Sequence, residues 1–218
     1  MHSIHMVHGD LKGVLFMNYR MIKHSVLNVG QANILVNKSL RACLADFGLS
    51  TIVEIERRAG TSSASTSTAP VTSLMSFTDG GTGRWMSPEL HHPEKFGITD
   101  YRPTKQSDCY ALGMVIYEVR ADVVVPTIAM VYFAYRQVRC GTIPYANITH
   151  PGGVILAIMN GDRPPEPEGA EGLGFTKGLW KIIERCWLTD ASERPDVRDV
   201  LFQLNHATWA WDRERSDP

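Results

Sequence analysis

Apolar positions fall into short runs early in the chain and into helical stripes later. "NILV" (33–36) and "ACLADFG" (42–48) are brief apolar runs on either side of the polar "NKS", the pattern of a small β-hairpin. "KQSDCYALGMVIYEV" (105–119) carries apolar residues on nearly every face, which predicts a buried helix. "GGVILAIMNG" (152–161) predicts a short helix ended by Gly161. "KGLWKIIERCWL" (177–188) sets Leu179, Ile182, Ile183, Cys186 and Trp187 on one helical stripe. "RPDVRDVLFQLNHATW" (194–209) repeats the pattern through Val197, Val200, Leu201 and Leu204, with Pro195 placed for its first turn. The Pro-rich "RPPEPEG" (163–169) reads as an extended loop. "TSSASTST" (61–68) cannot pack a core and reads as a mobile loop, either a flexible spacer or a phosphorylation target. The sum is a mainly helical body with one small hairpin and no internal repeat.

Length and composition narrow this picture. A chain of 218 residues can bury one sizeable core, and 44% hydrophobic against 21% charged is an ordinary globular balance. A net charge of −1 gives no electrostatic reason to expect a nucleic-acid or anionic-membrane partner. The most apolar run, "VVVPTIAMVYFAY" (123–135), is shorter than the roughly 20 residues that span a bilayer and contains Pro126. Cys43, Cys109, Cys140 and Cys186 lie far apart, without a C-x-x-C pair, and the first residues lack the signature of a secretory leader. A disulfide framework or zinc site is therefore not expected, and a reducing cytoplasmic or nuclear compartment is.

The chemistry sits in three triplets in fixed order. "HGDLK" (8–12) is followed by an asparagine at Asn33, then by "DFG" (46–48), then by "SPE" (87–89). Together with "SDCYALGMVIYE" (107–118) and "CWLTDASERP" (186–195), these resemble the protein kinase family, whose signatures are H-R-D-x-K-x-x-N, D-F-G and A-P-E. "RWMSPE", Lys12 and Thr82 look most like the serine/threonine-specific, tyrosine-kinase-like group. The resemblance implies a protein kinase-like fold (α+β), here the C-terminal lobe, over residues 1–206, with a tail at 207–218. It implies ATP and Mg²⁺ as cofactors and a protein hydroxyl as substrate.

Phosphoryl transfer needs positioning and charge neutralisation more than covalent chemistry. By resemblance, Asp10 orients the substrate hydroxyl and accepts its proton, and Lys12 supplies positive charge at the γ-phosphate. Asn33 and Asp46 hold the metal through oxygen atoms, which suits a hard cation. Phe47 and Gly48 complete the metal-binding turn, and Thr82 belongs to the activation segment. His8, Glu89, Asp108 and Arg194 have structural parts: His8 packs the loop, Glu89 pairs with Arg194, and Asp108 anchors the catalytic loop's backbone. His2, His5 and His8 share a spacing that could suggest a metal face, but the motif already claims His8. His91 and His92 read as a solvated loop.

Gly9 stands where the family usually has an arginine that clamps a phosphorylated activation loop. Activity is therefore expected to depend little on such phosphorylation, and loss of activity on phosphatase treatment would contradict this.

Two segments interrupt the resemblance. Residues 14–31 split the catalytic loop between Lys12 and Asn33, and residues 120–138 follow the central helix. Closing an 18-residue excursion costs only about 2–3 kcal/mol, but a misplacement of about 1 Å at a reacting group can cost 10²-fold. Retained intron sequence is the expected origin of both, although the second fits it less cleanly. The first is in frame, Val14 is encoded by GT plus a base, and Gln31 can be encoded by CAG. Genuine insertions, the second an amphipathic docking segment, are the rival explanation. The Gly-rich loop, strand lysine and helix glutamate of the family's N-terminal lobe have no match here, so little turnover is expected of this chain by itself. A catalytically dead kinase-like binding or scaffold module is the alternative function.

Overall fold

The computed structural model describes residues 6–12, 14–16, 33–36, 42–52, 82–99, 101–121, 143–166 and 176–214. Five short strands come early: β1 (Met6–Val7), β2 (Val14–Phe16), β3 (Ile34–Val36), β4 (Ala42–Leu44) and β5 (Thr51–Ile52). Among the described residues five α-helices follow: α1 (Pro88–His91), α2 (Lys105–Ala121), α3 (Pro151–Asn160), α4 (Lys177–Cys186) and α5 (Val197–Glu214).

The expected hairpin is β3–β4, antiparallel, with Ile34 opposite Leu44. The strand content exceeds that expectation. β1 pairs with β5 antiparallel, and β2 lies parallel to β3 with Val14 opposite Ile34. β2 is formed by the opening residues of the stretch read as an interruption. Its Val-Leu-Phe triplet suits a strand and lines the open edge of a short hairpin.

The helical body is built on α2. Thr104 and Ser107 cap it reciprocally: Ser107 N–H donates to Thr104 Oγ1 (3.1 Å) and Thr104 N–H to Ser107 Oγ (2.8 Å). Cys109, Tyr110 and Met114 are fully buried along it. α4 starts at Thr176, whose hydroxyl accepts from Leu179 N–H, and buries Leu179, Ile182, Ile183 and Cys186 against α2. The two helices meet closely at Gly113, where a Cβ would fall 2.7 Å from that of Cys186. Glycine in a helix interior costs about 1 kcal/mol, and this contact is its return. Cys109 and Cys186 are free thiols that face each other across the seam. Hydrogen bonding to Cys109 and burial push the Cys186 thiol far above its ordinary pKa, so it stays protonated. Tyr117, Trp180 and Trp187 close one end of the seam, with ring centroids 5.7 to 6.5 Å apart.

α3 runs as expected to Gly161, a left-handed C-cap. α5 departs from expectation in two ways. It begins at Val197, not at Pro195, because Arg194 is held extended by its partners and Asp196 accepts from Arg198 N–H to start the helix. Leu201, placed on the inner stripe by its spacing, is 58% exposed. At about 100° per residue, Val197, Val200 and Leu204 centre on one line and Leu201 lies roughly 65° from it. α5 continues through residues 207–214. α2 likewise includes Arg120 and Ala121, the first residues of the second interruption. Residues 17–31, 61–68 and 122–138, with the apolar run 123–135, lie outside the described residues, as do His2 and His5.

His91 corrects the reading of a solvated loop. It ends α1, is only partly exposed, and places Nε2 3.0 Å from Gly83 O. Burial lowers its pKa below the ordinary imidazole value, against smaller opposing effects of the Gly83 bond and Glu89. His92 is exposed.

One buried pair ties this body together. Arg194 Nη1 and Nη2 donate to Glu89 Oε1 (2.6 Å) and Oε2 (2.8 Å). Its remaining donors reach the carbonyls of Leu188, Gln106 and Thr189, so all five N–H groups are used. The guanidinium also lies 5.0 Å from the Tyr110 ring centre. Glu89→Ala leaves that buried cation unpaired, and a loss of about 3–5 kcal/mol is expected in urea unfolding; a loss below about 1 kcal/mol would contradict this account. Because the His91 pKa is depressed on folding, its stabilisation is present above about pH 6.5 and is lost as pH falls through the folded-state value. Thermal midpoints measured from pH 7.5 down to 5.5 should therefore fall more steeply for the wild type than for His91→Gln. Parallel curves would show that His91 does not titrate this way.

Candidate active site

The loop of residues 8–12 lies over the start of α2. Asp108, in the first turn of that helix, accepts from His8 N–H through Oδ2 (2.8 Å) and from Gly9 N–H through Oδ1 (2.9 Å). Gly9 has φ +81°, and a Cβ there would lie 2.9 Å from Pro103 Cγ and 3.0 Å from Leu49 O. The loop's course therefore favours glycine at position 9 on backbone grounds, beyond the arginine's absence noted from sequence.

His8 is fully buried and links the loop to the segment after β4. Its Nδ1 accepts from Asp10 N–H (3.3 Å), which leaves Nε2 to donate to Ala45 O (2.9 Å). Both ring nitrogens are engaged, so His8 has none left for a metal. Ser50 Oγ donates to His8 O, and the His8 ring packs against Phe47 at 5.1 Å.

Asp10, Lys12, Asn33 and Thr82 meet at one point. Asp10 Oδ2 lies 3.0 Å from Lys12 Nζ and 2.8 Å from Asn33 Nδ2. Asn33 Nδ2 also donates to Asp10 O (2.6 Å), and Lys12 Nζ donates to Thr82 Oγ1 (2.8 Å). Asn33 N–H donates to Lys12 O (2.9 Å), so the two ends of the interrupted loop are joined by a backbone hydrogen bond. The convergence that the 14–31 segment threatened is present. All four residues are at least nine-tenths buried.

Asp46 stands outside that cluster's hydrogen bonds. It is exposed, sits in the left-handed region (φ 59°, ψ 68°) and accepts from Gly48 N–H at 3.4 Å. Ala45 N–H bonds to Asn33 O, so the backbone holds Asp46 next to the Asn33 strand end. Phe47, 47% exposed, and Gly48 begin the short 3-10 turn that follows.

The donor set fits a hard cation held jointly with phosphate oxygens. Asn33 directs its amide hydrogens at Asp10, leaving its oxygen as acceptor, and Asp46 offers a solvent-facing carboxylate. Among the described residues no group of three His, Cys, Asp or Glu side chains is placed to hold a metal unaided. No helix among them is long and apolar enough to cross a membrane.

Two positioning residues escaped the sequence reading. Arg84 donates to the carbonyls of Pro144, Tyr145 and Ile148 at 2.7 to 2.9 Å, which fixes the segment after Thr82. Trp85 Nε1–H donates to Glu118 Oε2 (3.1 Å) on α2. Both partners are distant in sequence, and no local pattern announces them.

A sequence model of the protein tyrosine and serine/threonine kinase family matches residues 1–204. The chain is similar to an Arabidopsis thaliana protein kinase and PP2C-like domain-containing protein, 26% identical across 88% of this chain and 27% of the relative. It is similar also to the Arabidopsis thaliana serine/threonine/tyrosine-protein kinase HT1, 24% identical across 88% of this chain and 37% of that one. Rat ephrin type-A receptor 5 is 25% identical across 92% of this chain and 15% of the receptor. The chain thus spans well under half the length of these relatives. With the family's match running through the catalytic loop, the Asp-Phe-Gly turn and the helical body, the chain belongs to the protein tyrosine and serine/threonine kinases.

Proposed function

We propose that this chain carries the phosphotransfer part of a serine/threonine-type protein kinase, with ATP and Mg²⁺ as cofactors and a protein hydroxyl as substrate. The described residues make up its C-terminal lobe. The observation that supports this reading best is the meeting of Lys12 and Asn33 on one oxygen of Asp10, with Thr82 bonded to Lys12. A carboxylate fixed in this way keeps its other oxygen as an acceptor for a hydroxyl proton. Lys12 is a buried cation that can turn from Asp10 and Thr82 to a phosphate oxygen. Asn33 and Asp46 would hold Mg²⁺, which together with ATP supplies the transferring phosphoryl group and neutralises its charge. Free, buried Cys109 and Cys186 favour a reducing cytoplasmic or nuclear setting.

One observation favours the second reading, a catalytically silent kinase-like binding module. Asp10 Oδ1 is buried without a partner, so in this conformation it is closed to a substrate.

Thermal unfolding with Mg²⁺–ATP separates the two. Saturation at about 100 times Kd stabilises by about 2.7 kcal/mol, a rise of several degrees for a chain of this size. Asp46→Ala should abolish the rise. Asp10→Asn should retain it while lowering whatever phosphotransfer the chain supports by roughly 10²–10⁴-fold. A chain that unfolds at the same temperature with and without Mg²⁺–ATP would support the binding module instead.

A further inference from the structure

Against the catalytic loop lies a partly open cavity with room for about 20 Å³ of water, whose lining includes the polar residues Asp10, Thr82, Ser87, Ser107 and Asp108. Most of these polar groups are already satisfied. Ser107 Oγ donates to Thr104 O and accepts from Thr104 N–H. Both oxygens of Asp108 accept backbone N–H groups of the loop. Thr82 Oγ1 accepts from Lys12. Two groups remain, Asp10 Oδ1 and Ser87 Oγ, and each is buried with no hydrogen-bond partner.

Ser87 sharpens the anomaly. It stands at the N-cap of α1, where a serine hydroxyl ordinarily accepts from the helix's first free N–H groups, yet it makes no such bond. It is 0% exposed, so water at the surface cannot serve it. Two orphaned polar groups on one cavity carry a desolvation penalty that proteins seldom leave standing. A polar cavity of at least about 10–15 Å³ can accommodate one water molecule.

We propose that this cavity binds a single ordered water, which donates to Asp10 Oδ1 and hydrogen-bonds Ser87 Oγ. Lys12 and Asn33 hold the carboxylate by Oδ2, and in this closed conformation the water holds it by Oδ1, the oxygen that a substrate hydroxyl would otherwise approach. Ser87 thereby becomes a positioning residue for Asp10, and it ties the catalytic loop to the start of α1. Naming Ser87 a positioning residue rests on the phosphotransfer reading above; the water itself rests on the cavity and its two orphaned groups.

The test is a crystal structure of the full chain at a resolution that shows ordered solvent, with two near-isosteric variants, Ser87→Thr and Ser87→Val. The expected result is a water within about 3.2 Å of both Asp10 Oδ1 and Ser87 Oγ. Ser87→Thr keeps the hydroxyl and should retain the water in its density, whereas Ser87→Val should lose the water and unfold at least about 2 °C lower. An empty cavity, or equal midpoints for the two variants, overturns the inference; where neither variant folds, the wild-type density decides. Neither readout uses nucleotide. Failure of the Mg²⁺–ATP response would therefore sink the phosphotransfer reading and leave the water standing, whereas an empty cavity in a nucleotide-responsive chain would sink only the water.

Discussion

The Asp108 carboxylate is the contact on which the site depends. It is buried in the first turn of the central helix and accepts two consecutive backbone N–H groups, those of His8 and Gly9. A carboxylate that receives two backbone donors satisfies groups that burial would otherwise leave unpaired. It also transfers the rigidity of α2 to a loop that has no regular structure of its own. From this anchor the order is passed outward: His8 bonds Asp10 N–H and Ala45 O, and Asp10 bonds Asn33 and meets Lys12. The steps span 2.8 to 3.3 Å and are buried or partly buried.

A second anchor serves the other side of the site. Arg194 and Glu89 join the segment after Thr82 to the helical body, and Arg84 ties the same segment to carbonyls between residues 144 and 148. Thr82 is thereby held where Lys12 can reach it. The two anchors converge on α2, through Asp108 on one hand and through Gln106 O, an acceptor for Arg194, on the other. The arrangement explains how a loop interrupted between Lys12 and Asn33 can still present both residues to Asp10. Its ends are fixed by separate parts of the core, so the length of chain between them matters less than where it leaves and returns.

Much of this was legible in the sequence. α4 was plain because burial of one face imposes a 3.6-residue stripe, and α2 because burial on nearly every face leaves apolar residues all round it. The motifs named Asp10, Asn33 and Asp46 through the family resemblance, and Glu89 as the partner of Arg194. Other features were illegible for identifiable reasons. β2 depends on an open strand edge that exists only once β3 has formed. Leu201 lies at the margin of its stripe, where spacing alone cannot say which side is covered. Arg84 and His91 depend on partners brought in by the tertiary fold. Gly9 read as a lost arginine, although Pro103 and Leu49 O crowd its α-carbon in space.

The most direct test of this account is amide hydrogen exchange at His8 and Gly9, in the wild type and in Asp108→Ala. The account predicts slow exchange at both amides in the wild type. In the variant it predicts exchange faster by at least about tenfold at those two positions, while amides in the middle of α2 keep their protection. Equal protection of His8 and Gly9 in the two proteins would show that the loop is held by something other than Asp108, and the account would fail at its root.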